Sequence, residues 1–222
     1  LEDTIHQKEA LLRELHHRVK NNLQLIASIM NMQLRRSRSP EAREMLRMVQ
    51  DRVINLAAIH RELFQTTGEM NVHAVELLEL ILRQVRTMAA TQDGQVQVTS
   101  DLDDIRLTPD QAAPLALLVA EAVTTEVRAA ATEGSGLRQI VVRLHRVAAD
   151  RARVEIIRTA GTGSGAAPSD PEDDLGAQLI NDFAMQIGSS PVETNENGEH
   201  RLSVEFPIRP IPGAMPNKPA AP

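Results

Sequence analysis

The 222-residue chain carries 30 acidic and 24 basic side chains, a formal net charge of -6, and so offers no overall basic surface for nucleic acid. It has no cysteine, which excludes a disulfide frame and a thiolate metal site, and three Phe with no Trp or Tyr exclude base-stacking platforms. No apolar run reaches the ~18–20 residues that cross a membrane and no signal peptide opens the chain, so a cytoplasmic protein with an aliphatic core is expected.

The first predicted element is a helix from Leu1 to about Arg38. Leu1 to Ala10 already fits its pattern, so a sensory or membrane part is expected upstream of it. Apolar residues at Leu12, Val19, Leu23, Ile26 and Met30 follow steps of three and four that His16 completes, the seam of a helix packed in a bundle. Arg13, His17, Lys20, Asn21, Gln24 and Ser28 form a polar stripe beside that seam, because residues three and four apart share a helix face. A histidine in a seam packs, whereas one on a polar flank reaches a partner. His17 is therefore the reactive candidate: a neutral imidazole, with a pKa near ~6.5, keeps one ring nitrogen free as a nucleophile.

Ser37-Arg38-Ser39-Pro40 predicts a turn, with Ser39 as N-cap and Pro40 at the first position of a second helix reaching about Thr66. Met45, Val49, Val53, Leu56 and Leu63 share one face of it. A first helix ~50 Å long cannot bury its stripe in one hairpin, so a homodimer through residues 1–66, forming a four-helix bundle, is predicted. Residues 1–66 hold 11 basic and 8 acidic side chains (net +3) and the remainder 13 and 22 (net -9), which suggests an acidic partner on the helices.

Residues 67–70 read as a linker, and the pattern changes from Asn71. A helix over Val75–Met88 and a strand over Gln95–Ser100 follow. Thr108-Pro109-Asp110 predicts a helix start, with Thr108 as cap, running to about Ala131. Leu137–Val147 and Arg151–Arg158 predict a hairpin, Asp174–Ile187 a helix, and Val192–Thr194 with Arg201–Ile208 a closing hairpin around Asn197-Gly198. The Pro-, Ala- and Gly-rich end, 209–222, is expected to be disordered.

His16-His17-Arg18-Val19-Lys20-Asn21-Asn22-Leu23-Gln24 resembles the phosphoacceptor box of two-component sensor histidine kinases of the HWE/HisKA_2 type, which runs His-Arg-x-Lys-Asn. The resemblance places the phosphoryl-accepting histidine at His17. The element order of 71–208 resembles the Bergerat ATP-binding fold of histidine kinases and gyrase-type ATPases. The expected architecture is therefore α+β: an antiparallel helical hairpin dimerising into a four-helix bundle, then a degenerate Bergerat-type α/β sandwich. Together the resemblances cover nearly all of residues 1–208.

The same resemblance shows where the nucleotide chemistry departs from the family. Kinases of this type read Val-Asn-Glu-Leu-Val-Thr-Asn-Ala on the 108–131 helix, with an asparagine ligating Mg²⁺; this chain reads Val119-Ala120-Glu121-Ala122-Val123-Thr124-Thr125-Glu126. A methyl cannot ligate a hard cation, a hydroxyl is weaker than an amide carbonyl, and Glu126 is expected to add negative charge beside a polyphosphate. The Asp-x-Gly-x-Gly adenine box reads Thr159-Ala160-Gly161-Thr162-Gly163, keeping the glycines and losing the carboxylate. Asp174-Leu175-Gly176-Ala177-Gln178-Leu179 resembles the second glycine box, and residues 164–173 are short for a phosphate-covering lid. Loss of several hydrogen bonds to charged partners, each worth roughly 1.5–3 kcal/mol, weakens binding by powers of ten, so no cofactor is expected on this chain. Gly161–Gly165 lacks the Lys-Ser/Thr of a phosphate loop, and His6, His60, His73, His145 and His200 show no metal-ligand spacing.

The resemblance then implies a two-component protein exchanging phosphoryl groups between His17 and the aspartate of a response-regulator receiver, or dephosphorylating that receiver, without autophosphorylation from ATP. Mg²⁺ is expected on the receiver. Arg18 and Lys20 are expected to neutralise phosphoryl oxygens, Arg13 and Gln24 to contact the receiver, and Asn21 to orient a water. Family association points to regulators of the general stress response. The alternatives are an ATP-dependent sensor kinase and a scaffold that sequesters a regulator.

Overall fold

The computed structural model describes residues 2–65, 71–90, 96–132, 137–159, 174–196 and 198–210. The chain divides into two compact units, 1–67 and 68–222.

The first unit is an antiparallel pair of helices, α1 (Glu2–Arg36) and α2 (Pro40–Gln65). The turn forms for the reason the sequence gives. Ser39 Oγ accepts the Ala42 amide at 3.2 Å as N-cap, and the Ser37 carbonyl accepts from Arg43 Nε at 2.9 Å. Arg35 and Arg36 in the last turn of α1 suit the negative end of its dipole. Among the described side chains of α1, Leu23, Ala27, Met30 and Leu34 are half-buried. Val19 and Ile26, expected in the seam, stay 38% and 41% exposed, as do Leu25 at 60%, Ile29 at 45% and Met32 at 49%. The apolar arc of α1 is wider than one partner helix covers. On α2, Met45 and Leu56 are likewise exposed.

The second unit holds α3 (Ala74–Ala90), α4 (Pro109–Thr132) and α5 (Asp174–Gln186) against a five-stranded sheet of order β2-β4-β5-β7-β6. Its strands are β2 (Val96–Leu102), β4 (Arg138–Ala148), β5 (Arg151–Thr159), β6 (Val192–Glu196) and β7 (Glu199–Pro207). β2 runs parallel to β4 and the other pairings are antiparallel. Alternation along each strand sends Val98, Ile140, Val142, Leu144, Val154, Ile156, Leu202, Val204 and Phe206 to the buried face. α3 covers them with Leu77, Leu78, Ile81, Leu82 and Val85, and α4 with Leu115, Leu118, Val119 and Val123. Gly198, at φ +76°, supplies the left-handed residue of the two-residue turn joining β6 to β7.

Three details depart from the sequence reading. A two-stranded sheet of β1 (Val72–His73) and β3 (Arg106–Leu107) precedes α4, and two residues are too short a run for an alternation signal. Thr108 caps α4 through its backbone carbonyl, which accepts the amides of Gln111 and Ala112 at 2.9 Å; its hydroxyl is buried with no partner among the described residues. Arg209, placed at the start of the disordered tail, is held by fully buried Gln111, whose Oε1 accepts the Arg209 amide at 2.9 Å. Gln111 Nε2 also donates to the Pro207 carbonyl at 2.6 Å. The linker 67–70 and residues 211–222 lie outside the described residues.

Candidate functional site

Helix α1 carries His17 near its middle, within an unbroken helical backbone from Glu2 to Arg36. The side chains of Arg13, His17 and Lys20 lie outside the described set. Asn21, Gln24 and Ser28, one to three turns further on, are all exposed. Arg18 is exposed and donates from Nε to Glu14 Oε1 at 2.7 Å, an i,i+4 pair that holds its guanidinium one turn before the box.

In the second unit the positions of a nucleotide site gather on α4, α5 and β5. Ala120 and Glu121 are buried, 2% and 8% exposed, and Thr125 stands one turn beyond Glu121. Both face Gly176 in the first turns of α5: a Cβ added there would meet Glu121 Oε1 at 3.3 Å and Thr125 Oγ1 at 3.6 Å. Gly176 therefore permits α5 to approach α4 closely, with Glu121 filling the space. Thr159 ends β5 and its hydroxyl donates to the Gln139 carbonyl on β4 at 3.2 Å. Gly161 and Gly163 lie outside the described residues, as does 164–173.

Glu126 is placed differently from the sequence expectation. It turns toward the sheet, where its Oε2 accepts from Arg158 Nε at 2.5 Å and its Oε1 lies 2.8 Å from His200 Nδ1. Its charge is matched inside the domain rather than presented to a phosphate. The His200 contact is close but lacks the alignment of a good hydrogen bond, so it acts chiefly as an ion pair. Burial pushes the Glu126 carboxyl up, but His200 and Arg158 outweigh it and hold the group below its usual value. The same carboxylate raises the His200 imidazole above its usual value, against the opposing effect of burial.

A magnesium-bound nucleotide needs an amide or carboxylate oxygen for the metal and an acceptor for the adenine amine. Ala120 offers a methyl, Thr125 and Thr159 offer hydroxyls, and Glu126 is already engaged. Glu121 offers the remaining carboxylate, and it is buried facing Gly176; no cluster of three His, Asp or Glu side chains that could hold a metal occurs among the described residues. No described helix is long and apolar enough to cross a membrane.

Sequence reasoning missed Arg158, His200 and Gln111. A signal was present for the first: Ala152, Val154 and Ile156 point inward in alternation, and Arg158 continues that series, so an arginine had to be matched by a buried partner.

A histidine-bearing helical hairpin followed by this order of helices and mixed sheet resembles the histidine kinases of two-component signalling. Residues 14–98 match the HisKA_2 family, described as histidine kinase. Sensor histidine kinase PdtaS of Mycobacterium tuberculosis is 30% identical over 174 residues, 78% of this chain and 34% of the relative. Its counterpart in Mycolicibacterium smegmatis is 32% identical over 120 residues, 54% of this chain and 24% of that one. The chain thus spans about a third or less of the length of these relatives. The histidine kinase domain of the blue-light activated kinase EL346 from Erythrobacter litoralis shares the fold, with TM-score 0.61 at 19% identity over 93% of this chain and 94% of that one.

Proposed function

We propose that the protein exchanges phosphoryl groups between His17 and the aspartate of a response-regulator receiver, and does not phosphorylate itself from ATP. The observation that carries the reading is the contrast within one chain. The His-Arg-x-Lys-Asn box is complete in the sequence of α1, while the nucleotide positions hold Ala120, Thr125 and Thr159. In the forward step a ring nitrogen of His17 attacks phosphorus in line, the bond from phosphorus to the aspartyl oxygen breaks, and the aspartate leaves as carboxylate. The return step transfers the group to another receiver. The receiver supplies Mg²⁺ and the acyl phosphate; Lys20 and Arg18 neutralise phosphoryl oxygens. In a dephosphorylating mode Asn21 orients a water that attacks the same phosphorus, and inorganic phosphate departs.

The exposed Leu25, Ile26, Ile29 and Met32 support a homodimer through the hairpin, because apolar side chains this open on one helix gain by burial against a second copy. Dimerisation is tested by light scattering, and a monomer at micromolar concentration overturns it.

The receiver test mixes the protein with receiver domains charged by labelled acetyl phosphate and follows the label over time. Transient label on wild-type protein, absent in His17→Ala, supports the relay. Dephosphorylation that persists in His17→Ala and fails in Asn21→Ala supports the phosphatase mode. Binding without either reaction would leave a sequestering scaffold.

A further inference from the structure

Strand register sets three rows on the buried face of the sheet. Leu102, Leu144, Val154 and Val204 form one, and Val142, Ile156 and Leu202 continue the second from Ser100. The third runs Val98, Ile140, Arg158, His200, so it turns from apolar to cationic half-way across. Glu126 descends from α4 onto that cationic half with its side chain only 9% exposed, against 12% for Arg158 and 24% for His200. From β6, Glu193 Oε2 lies 3.9 Å from His200 Nε2.

Among the described residues, the charged groups around His200 are Glu126 from α4, Arg158 from β5 and Glu193 from β6. Its register partner on β6, Asn195, is uncharged, and on its own strand Glu199 and Arg201 pair with each other at 2.6 Å. With His200 protonated, two cations face two carboxylates. With His200 neutral, one cation faces two, in a space where water screens poorly. The element able to respond is β6, an edge strand paired only to β7 with all five residues exposed.

We propose that Arg158, Glu126, His200 and Glu193 form a proton-operated clasp: protonated His200 fastens the β6–β7 hairpin to α4, and neutral His200 lets that edge of the domain loosen. A proton at His200 is then a ligand to which this nucleotide-type domain responds. The raised imidazole sets the sign. The tie is complete below the usual histidine value of 6.5 and is lost as pH rises through the folded value. The lowered Glu126 sets the other limit, its share being complete above 4.5 and lost as pH falls through its folded value.

The test uses the whole chain and two readouts. Imidazole NMR, assigned with His200→Gln, follows the titration of His200. Hydrogen exchange, corrected for intrinsic rates, follows amide protection in β6 and β7. A His200 midpoint above 6.5 is expected, falling toward that value in Glu126→Gln. Protection of β6–β7 should drop several-fold as pH rises through that midpoint, and should be flat with pH in His200→Gln. Should Glu126→Gln not fold, Glu193→Gln is expected to lower the midpoint by a smaller amount. A midpoint at or below the usual value, or protection that does not follow it in the wild-type chain, overturns the clasp.

Discussion

The two units of this chain treat their polar residues in opposite ways. On the hairpin, Asn21, Gln24 and Ser28 are left open to solvent beside His17, and even the apolar Leu25 and Met32 are exposed. In the sheet domain, polar groups turn inward and partner one another: Glu126 with Arg158 and His200, Gln111 with the Pro207 carbonyl and the Arg209 amide. A surface kept open has something still to bind. An interior that matches its own charges folds without a ligand, because a buried carboxylate or guanidinium is costly only while it lacks a partner.

The largest expected effect breaks the comparison at its first arm. His17→Ala should abolish receiver-to-protein transfer, with circular dichroism unchanged because alanine is a strong helix former. Asn21→Ala should slow receiver dephosphorylation by ~10–100-fold while leaving label on His17, read as the decay of labelled receiver. The second arm is tested by restoring chemistry. Combining Ala120→Asn, Thr125→Asn and Thr159→Asp should tighten Mg-ATP binding by about tenfold or more in calorimetry, since each regained bond to a charged group is worth roughly 1.5–3 kcal/mol. No gain would mean that the described positions do not form the nucleotide site.

Smaller effects sharpen the stability side. Gln111→Ala removes two buried hydrogen bonds and leaves the Pro207 carbonyl and Arg209 amide without their partner, so a loss of roughly 2–3 kcal/mol is expected in urea unfolding. The smallest change concerns pH. The Glu126–His200 contribution should be complete between 4.5 and 6.5, and unfolding free energy should decline above and below that window relative to Glu126→Gln. A pH profile parallel to that of the variant would count against it.

Much of the fold was legible because its signals are local. The Ser39 cap, the Pro109 helix start, the alternating strands and the Asn197-Gly198 turn each follow from a few adjacent residues. The exposed side of α1 at Asn21, Gln24 and Ser28 was legible for the same reason. What was not legible depends on groups far apart in the chain. Glu126 meets Arg158 32 residues on and His200 further still, and Gln111 reaches Arg209 across 98 residues. No periodicity encodes such pairings; they follow only once strand register has fixed which residues share a row. The exposure of Val19 and Ile26 has a related cause, since helical spacing identifies an apolar arc without saying how many partners cover it.

The most direct measurement of the central claim is incubation of the purified protein with γ-labelled ATP and Mg²⁺, followed by separation and acid and alkali treatment of the protein band. The account predicts no acid-labile, alkali-stable label above the level of His17→Ala. Label at His17 in the wild-type chain, lost in His17→Ala, would contradict it and establish an ATP-dependent kinase.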